Sequence, residues 1–314
     1  MKLFLVAFEA LAALFVIGLL GFWIIRRRVV PGRALRFLSP LAIEIALPCL
    51  VFVRILRGLR PAEQPGWWLW PLAFLAFMAW AGLLTAACAR FVRAARRREF
   101  AFALFFQNIT FLPLVILTQI DGADSPLLVN LFLFGLLFSP VFFNTYYLFF
   151  ARDGRGLRWG KTAHPVVLAC VVAVGLCLLG VQGAVPAFLM SSLELLGNMA
   201  VPLLMLILGG NLYVQMQRRG ELHAGDTAKF VLAKNILFPL ATLGLLVLIR
   251  PPRAAALILF LESAVPPIAS IPIFVEREGG DTAAAGRFVI ASFAAALITI
   301  PALMALFEVC FPAP

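Results

Sequence analysis

Two short stretches decide the fold: residues 105–113, which read FFQNITFLP, and residues 259–267, which read LFLESAVPP. In each, a polar residue, Asn108 or Glu262, stands five positions before a proline in an otherwise apolar run. Proline removes a backbone donor and clashes with the preceding turn, so each helix is predicted to break there. Hydrocarbon satisfies no backbone hydrogen bond, so a break at membrane depth is typical of a cavity. The two stretches together are therefore the predicted binding site.

Composition sets the class of protein. Of 314 residues, 63% are hydrophobic and only 13% are charged, which excludes a soluble globular domain. A helical span needs about 20 apolar residues. The sequence thus predicts an all-α polytopic membrane protein with ten transmembrane helices, at residues 3–25, 38–56, 67–90, 100–120, 126–151, 164–182, 188–214, 228–249, 254–275 and 285–311.

The basic residues are distributed unevenly between the loops on the two sides of the membrane. With residue 1 placed outside, the loops on the inner side hold 19 Lys or Arg and those on the outer side hold 6. By the positive-inside rule, both termini are predicted to lie on the non-cytoplasmic side of the cytoplasmic (inner) membrane. The basic residues thus orient the chain in its lipid bilayer, and no nucleic-acid partner is expected in spite of the net charge of +11.

The chain also repeats itself. Pro48 and Pro202 are 154 positions apart (202 − 48), and three further pairs keep this register: Glu44 with Asn198, Asn108 with Glu262, and Pro113 with Pro267. Two halves of five helices each are predicted, residues 1–155 and 156–314. An odd number of spans per half makes the second half enter from the opposite side, which gives an inverted repeat. Such repeats bind substrate near the bilayer midplane between broken helices and support alternating access.

Three motifs resemble a known family. Residues 46–52, ALPCLVF, are similar to the second-segment motif of the auxin efflux carrier family. Residues 196–202, LGNMAVP, and 208–212, LGGNL, resemble its seventh-segment pattern. The stretch from Pro266 through residues 275–281, VEREGGD, is similar to its ninth. The resemblance spans the whole chain.

This resemblance implies a fold and an activity. It implies that the fourth and ninth helices unwind and cross at their prolines, with a scaffold subdomain beside a mobile transport subdomain. It also implies efflux or uptake of small organic anions, of which auxin and dicarboxylates are family examples. More distantly, the chain resembles the sodium-coupled bile acid symporters.

The residue types at the predicted site suit a carboxylate. A broken helix presents free N–H groups and a positive dipole end after the break, while amides and hydroxyls supply further hydrogen bonds. The alternative is that the polar side chains only cap broken helix ends. The candidate substrate-binding residues are Gln107, Asn108, Thr110, Pro113, Asn198, Ser263, Pro266, Pro267 and Ser270.

Two acids are the candidates for ion coupling. Glu262 and Glu44 lie within apolar segments, where an acid by default marks an ion or proton pathway. Either acid could exchange protons, or Glu262 could hold Na⁺ together with Asn108 and backbone carbonyls. A purely structural, protonated Glu262 and uncoupled movement of the anion with the membrane potential also stay open. Coupling to a proton (H⁺) is favoured because the sequence offers a second acid but no evident set of oxygen ligands for a sodium ion.

Other classes fit less well. No serine or cysteine nucleophile stands beside a histidine and no metal-ligand cluster appears, so neither an enzyme with catalytic residues nor a cofactor or metal is expected. Lys234 is predicted to reach the membrane surface with its long side chain. The sequence therefore predicts a secondary active transporter of small organic anions, with efflux favoured. A sodium symporter of the bile acid type, a channel, a nontransporting sensor and a homodimeric assembly are left open.

Overall fold

The computed structural model describes residues 2–122, 125–150, 164–217 and 224–312. The predicted boundary between the halves, at 155/156, lies outside them. Regular structure in the described ranges is helical, joined by short turns. In chain order the α-helices are α1 Lys2–Arg26, α2 Leu35–Pro40, α3 Leu47–Gly58, α4 Leu69–Ala89, α5 Arg97–Phe105, α6 Phe111–Asp121, α7 Pro126–Phe134, α8 Phe138–Thr145, α9 Pro165–Leu178, α10 Ala187–Asn198, α11 Ala200–Met216, α12 Ala224–Leu232, α13 Phe238–Ile249, α14 Arg253–Ala264, α15 Ile271–Arg277 and α16 Thr282–Cys310.

Seven helical stretches in the described ranges are long and apolar enough to cross a bilayer. They are Leu3–Arg26, Gly32–Gly58, Leu69–Ala89, Pro126–Phe149, Ala187–Val214, Ala224–Ile249 and Thr282–Cys310. The other three predicted segments are built differently. The sixth is the short helix α9, while the fourth and ninth are each divided, into α5 with α6 and α14 with α15. The chain is an all-α polytopic membrane protein.

The first of two packed groups contains α1, α3, α9, α10 and α11, and we call it the scaffold group. Helix α1 lies along α11, while α3 packs against α9 and α10. A Cβ atom added to Gly209 would lie 1.7 Å from the carbonyl oxygen of Gly18, and one added to Gly21 would lie 2.1 Å from that of Leu206. Glycine is therefore what lets the backbones of α1 and α11 approach so closely.

The second group, which we call the crossover group, contains α4, α5, α7 and α12 to α16. Phe230 of α12 packs on Phe100 of α5 and Phe288 of α16, with ring centroids 5.3 and 4.8 Å apart. Helix α6 and, from the crossover group, helix α16 also contact α1, so these two helices join the two groups.

Two helices carry a π-helical turn, at Leu41–Ala46 and at Ala233–Leu237. Each turn is followed by a proline, Pro48 or Pro239, whose missing N–H leaves the carbonyl four residues earlier without its helical donor. The widened turn follows from that missing bond, and such turns are frequent at functional sites.

Candidate functional site

The candidate site is the crossover, which comprises residues 106–110 between α5 and α6, residues 265–270 between α14 and α15, and the adjoining turns of α6 and α14. The two stretches run antiparallel there, and Gln107 pairs with Pro267 as an isolated β-bridge. The crossover thus brings together the two sequence stretches from which the binding site was predicted.

Backbone hydrogen bonds join the two breaks. The N–H of Asn108 donates to the carbonyl oxygen of Pro266 at 3.0 Å, and the N–H of Ile268 donates to that of Phe106 at 3.3 Å. Groups released by one broken helix are therefore satisfied by the other, as a buried backbone requires.

The prolines do not all stand in the break itself. Pro266 and Pro267 lie in the extended stretch, but Pro113 is the third residue of α6, so the fourth segment unwinds before it. Proline is tolerated in the first turn of a helix because its missing N–H would have no intrahelical partner there. All three prolines are buried.

The two amide side chains of the first break differ in their contacts. The Oδ1 atom of Asn108 accepts a hydrogen bond from the N–H of Phe111 at 3.2 Å, which caps the start of α6. Gln107 is fully buried, and neither its Oε1 nor its Nε2 atom has a hydrogen-bond partner. A buried amide without partners is costly, and Gln107 therefore has a donor and an acceptor that the described residues do not use.

The three candidate hydroxyl residues lie at helix ends, and the hydroxyl of Ser263 bonds to the local backbone. The Oγ atom of Ser263 donates to the carbonyl of Phe260 at 2.6 Å, within α14. Thr110 and Ser270 immediately precede α6 and α15, and both are half-buried. Their carbonyls accept the first helical N–H bonds, from Leu114 at 3.0 Å and Ile273 at 2.9 Å.

Glu262 lies in the last turn of α14, fully buried, and neither carboxyl oxygen has a hydrogen-bond partner. In the described residues, eight buried side-chain nitrogen and oxygen atoms are without partners. Four of these eight belong to Glu262 and Gln107, so unsatisfied polar atoms concentrate at the crossover.

Lys234 corrects a prediction made from the sequence. Its side chain does not reach the surface but is 0% exposed. Its Nζ atom donates to the carbonyl oxygen of Ser263 at 3.0 Å and stands 4.7 Å from the ring centroid of Phe238. A lysine near the end of a span is ordinarily expected to extend to the headgroups, but here a carbonyl of the crossover gives the ammonium a buried partner.

No role was predicted from the sequence for Asn235, which directly follows Lys234. Its Oδ1 atom accepts a 2.7 Å hydrogen bond from Ser292 Oγ, and its Nδ2 atom donates to the Ser292 carbonyl at 3.0 Å. This pair ties the π-helical turn to α16. Lysine and asparagine side by side in an apolar segment were the only sequence signal for it.

The structure places Glu44 and Asn198 away from the crossover stretches. Glu44 lies in the π-helical turn before α3, Asn198 ends α10, and both are exposed. These two elements contact each other, so the two residues belong to the scaffold group. The crossover therefore gathers eight of the nine candidate substrate-binding residues and one of the two candidate acids.

Opposite ends of half-helices meet at this site. Helix α6 begins there with its positive end, which favours an anion, while α14 ends there with its negative end, which favours a cation. A helical membrane bundle with two broken helices paired in its interior is the architecture of a membrane transporter.

Comparison with known families agrees with that class. The family model described as "Membrane transport protein" matches the chain twice, over residues 6–156 and 155–304. The chain belongs to this family of auxin efflux carrier-like membrane transporters. A comparison with curated proteins found no match.

Proposed function

We propose that this transporter is a secondary active carrier that moves small organic anions across the cytoplasmic membrane by alternating access, with efflux favoured and a proton as the coupling ion. One observation carries the proposal. At the crossover, half-helix ends, an amide and a carboxyl without partners, and a buried ammonium all meet in the interior of the bundle.

The charges and dipoles there support an anionic substrate. Helix α6 directs its N-terminal end to the crossover, and the ammonium of Lys234 is the buried cation of that region among the described residues. A carboxylate gains from both, and the amide of Gln107 offers it a donor. The substrate class that fits this environment is a small carboxylate. The rest of the substrate is either apolar or carries a second carboxyl group.

The packing supports alternating access. The scaffold group is held together by the glycine contacts of α1 and α11, and the crossover group by α16 and its aromatic contacts. We infer that the two groups move relative to one another. The internal register of 154 positions supports the proposal that the chain consists of two inverted five-helix halves, each of which contributes helices to both groups.

Counterflow in proteoliposomes tests the carrier. Vesicles loaded with an unlabelled dicarboxylate or with an auxin-like monocarboxylate should accumulate the labelled compound, and the initial rate should saturate. Conductance without saturation would indicate a channel, and binding without counterflow would indicate a sensor. Either result would overturn the proposal.

Glu262→Gln tests the coupling. The amide keeps the shape of the carboxyl but cannot release a proton, so the variant should still exchange substrate for substrate while losing accumulation driven by a pH gradient. Glu63→Gln, at an exposed loop position, is the matched control and should behave as the parent.

The driving forces are imposed one at a time. Unchanged pH-driven accumulation by the Glu262→Gln protein would exclude Glu262 as the proton carrier. Transport that follows only the membrane potential, in parent and variant alike, would indicate uncoupled movement of the anion.

A further inference from the structure

We propose that Lys234 is the resident cation of the crossover: its ammonium occupies the position that a sodium ion would take, so the carrier works without sodium. The inference rests on the proposed transport function, because it concerns the same site. It narrows the coupling alternatives to a proton or the membrane potential.

The first argument is the partner of the ammonium. Ser263 lies in the last turn of α14, where helix carbonyls have no intrahelical donor and the helix dipole is negative. In transporters with broken helices, such carbonyls and helix ends coordinate the coupling cation. Here the Nζ atom of Lys234 already donates to the Ser263 oxygen at 3.0 Å, so this helix-end carbonyl already has a cationic partner.

The second argument is the balance of charge. Lys234 and Glu262 are both 0% exposed, and the ammonium of Lys234 donates to the carbonyl of Ser263, the residue that directly follows Glu262. A buried carboxylate without a cation is strongly unfavourable. Lysine supplies that cation, and a sodium ion would add a second positive charge against one carboxylate.

The third argument comes from the internal register of 154 positions. Lys234 corresponds to Trp80 (234 − 80) and Glu262 to Asn108 (262 − 108). The first half is neutral at both positions, and the indole N–H of Trp80 donates to Thr242 Oγ1 at 3.0 Å. The two charges therefore occur together and only in the second half, as expected of a pair in which each charge compensates the other.

Thermal stability of the purified protein tests the inference without any substrate. The melting temperature of the parent should be the same in sodium chloride and in choline chloride at equal ionic strength and pH. Lys234→Ala should melt at a lower temperature, by roughly 5 °C or more, because a buried carboxyl loses its cation. Sodium chloride or ethylammonium chloride should restore part of that loss, since a small cation can then enter the space.

Lys229→Ala is the matched control. Lys229 lies in the same span and also donates to a backbone carbonyl, that of Phe91 at 3.1 Å, but its side chain is exposed. The control should lose little stability and should not respond to either cation. A parent protein stabilised by sodium, or a Lys234→Ala protein that ignores both cations, would overturn the inference.

A second pair of variants covers the case in which Lys234→Ala does not fold. Lys234→Met fills the space with a neutral chain and should be unstable alone, but combining it with Glu262→Gln should recover stability because both charges are then gone. Strictly additive losses in the double variant would show that the two side chains do not form a pair.

Counterflow separates this inference from the function on which it rests. Equal initial rates in sodium and in choline, with the pH held constant, support the resident cation. Rates that rise with sodium overturn it but leave the carrier intact. Absence of counterflow for every organic anion would defeat the transport proposal, while the melting temperatures still decide whether Lys234 is the cation of the crossover.

Discussion

At the scale of single residues, Asn108 combines two tasks that the sequence alone could not separate. Its backbone N–H holds the other broken helix through Pro266, and its side-chain oxygen caps α6 through Phe111. Capping uses only the acceptor of the amide. The Nδ2 donor is the part of the side chain whose role in substrate binding is still to be tested.

Two substitutions distinguish these tasks. Asn108→Asp keeps the capping oxygen but loses the amide donor. Because the new carboxyl is buried, its melting temperature should fall at neutral pH and should approach that of the parent when acid protonates the carboxyl. Its affinity for a carboxylate should fall by roughly tenfold to a hundredfold, the equivalent of about 1.5 to 3 kcal/mol. Asn108→Ala should lose the same affinity and, in addition, about 1 kcal/mol of helix capping.

Substrate-induced stabilisation and counterflow KM measure the affinity, and melting temperature without substrate measures the cap. If the Asn108→Asp protein bound the carboxylate with the affinity of the parent, the side chain of Asn108 would act only as a helix cap.

At the scale of helices, close packing of α1 on α11 depends on small residues. The backbones approach so closely that a methyl group at Gly209 would overlap the carbonyl of Gly18. Helices in a bilayer gain little from the hydrophobic effect on association, so backbone proximity and dispersion contacts stabilise the pair.

Gly209→Ala should therefore separate the two helices and destabilise the protein by about 1 to 3 kcal/mol, the usual cost of overpacking. Gly175→Ala in α9 is the control, because a Cβ atom there would have no neighbour within 4 Å. It should be neutral or stabilising by about 0.5 to 1 kcal/mol through helix propensity. Thermal unfolding in one detergent measures both; equal melting temperatures would contradict the packing argument.

At the scale of the whole molecule, ion pairs join the N-terminal ends of α5, α12 and α16 on one face of the protein. Arg96, just before α5, pairs with Asp226 of α12 at 3.0 Å and with Asp281, before α16, at 3.6 Å. Glu99 accepts a 2.9 Å hydrogen bond from the N–H of Asp281. The N-terminal ends of α5, α12 and α16, which the distribution of arginines assigns to the cytoplasmic side, therefore adjoin one another.

Cysteine labelling tests this orientation. A variant that retains only Cys310, which is exposed at the end of α16, should react with a membrane-impermeant thiol reagent in intact cells. A variant lacking the five native cysteines but carrying Ala94→Cys, in the Arg90–Arg98 loop, should react only after permeabilisation. The opposite pattern would reverse the topology.

The sequence determined the features that depend on properties local to the chain. Hydropathy placed the membrane segments, since a span needs only a sufficient apolar length. Prolines located both breaks, because a missing N–H acts within one helical turn. Polar residues near those prolines led to the prediction of a site with Gln107, Asn108 and Glu262, which lie in or beside the two paired breaks.

Only the tertiary structure decided what those residues contact. The bond from Lys234 to Ser263 joins residues 29 positions apart in different helices, and no local pattern distinguishes a buried lysine from one that extends to the surface. The same holds for Asn235 with Ser292, and for Glu44 and Asn198, which share the repeat register of the crossover residues but lie on the scaffold group. The burial and the hydrogen-bond partners of these side chains depend on how distant helices pack against one another. They can therefore be determined only from the tertiary structure.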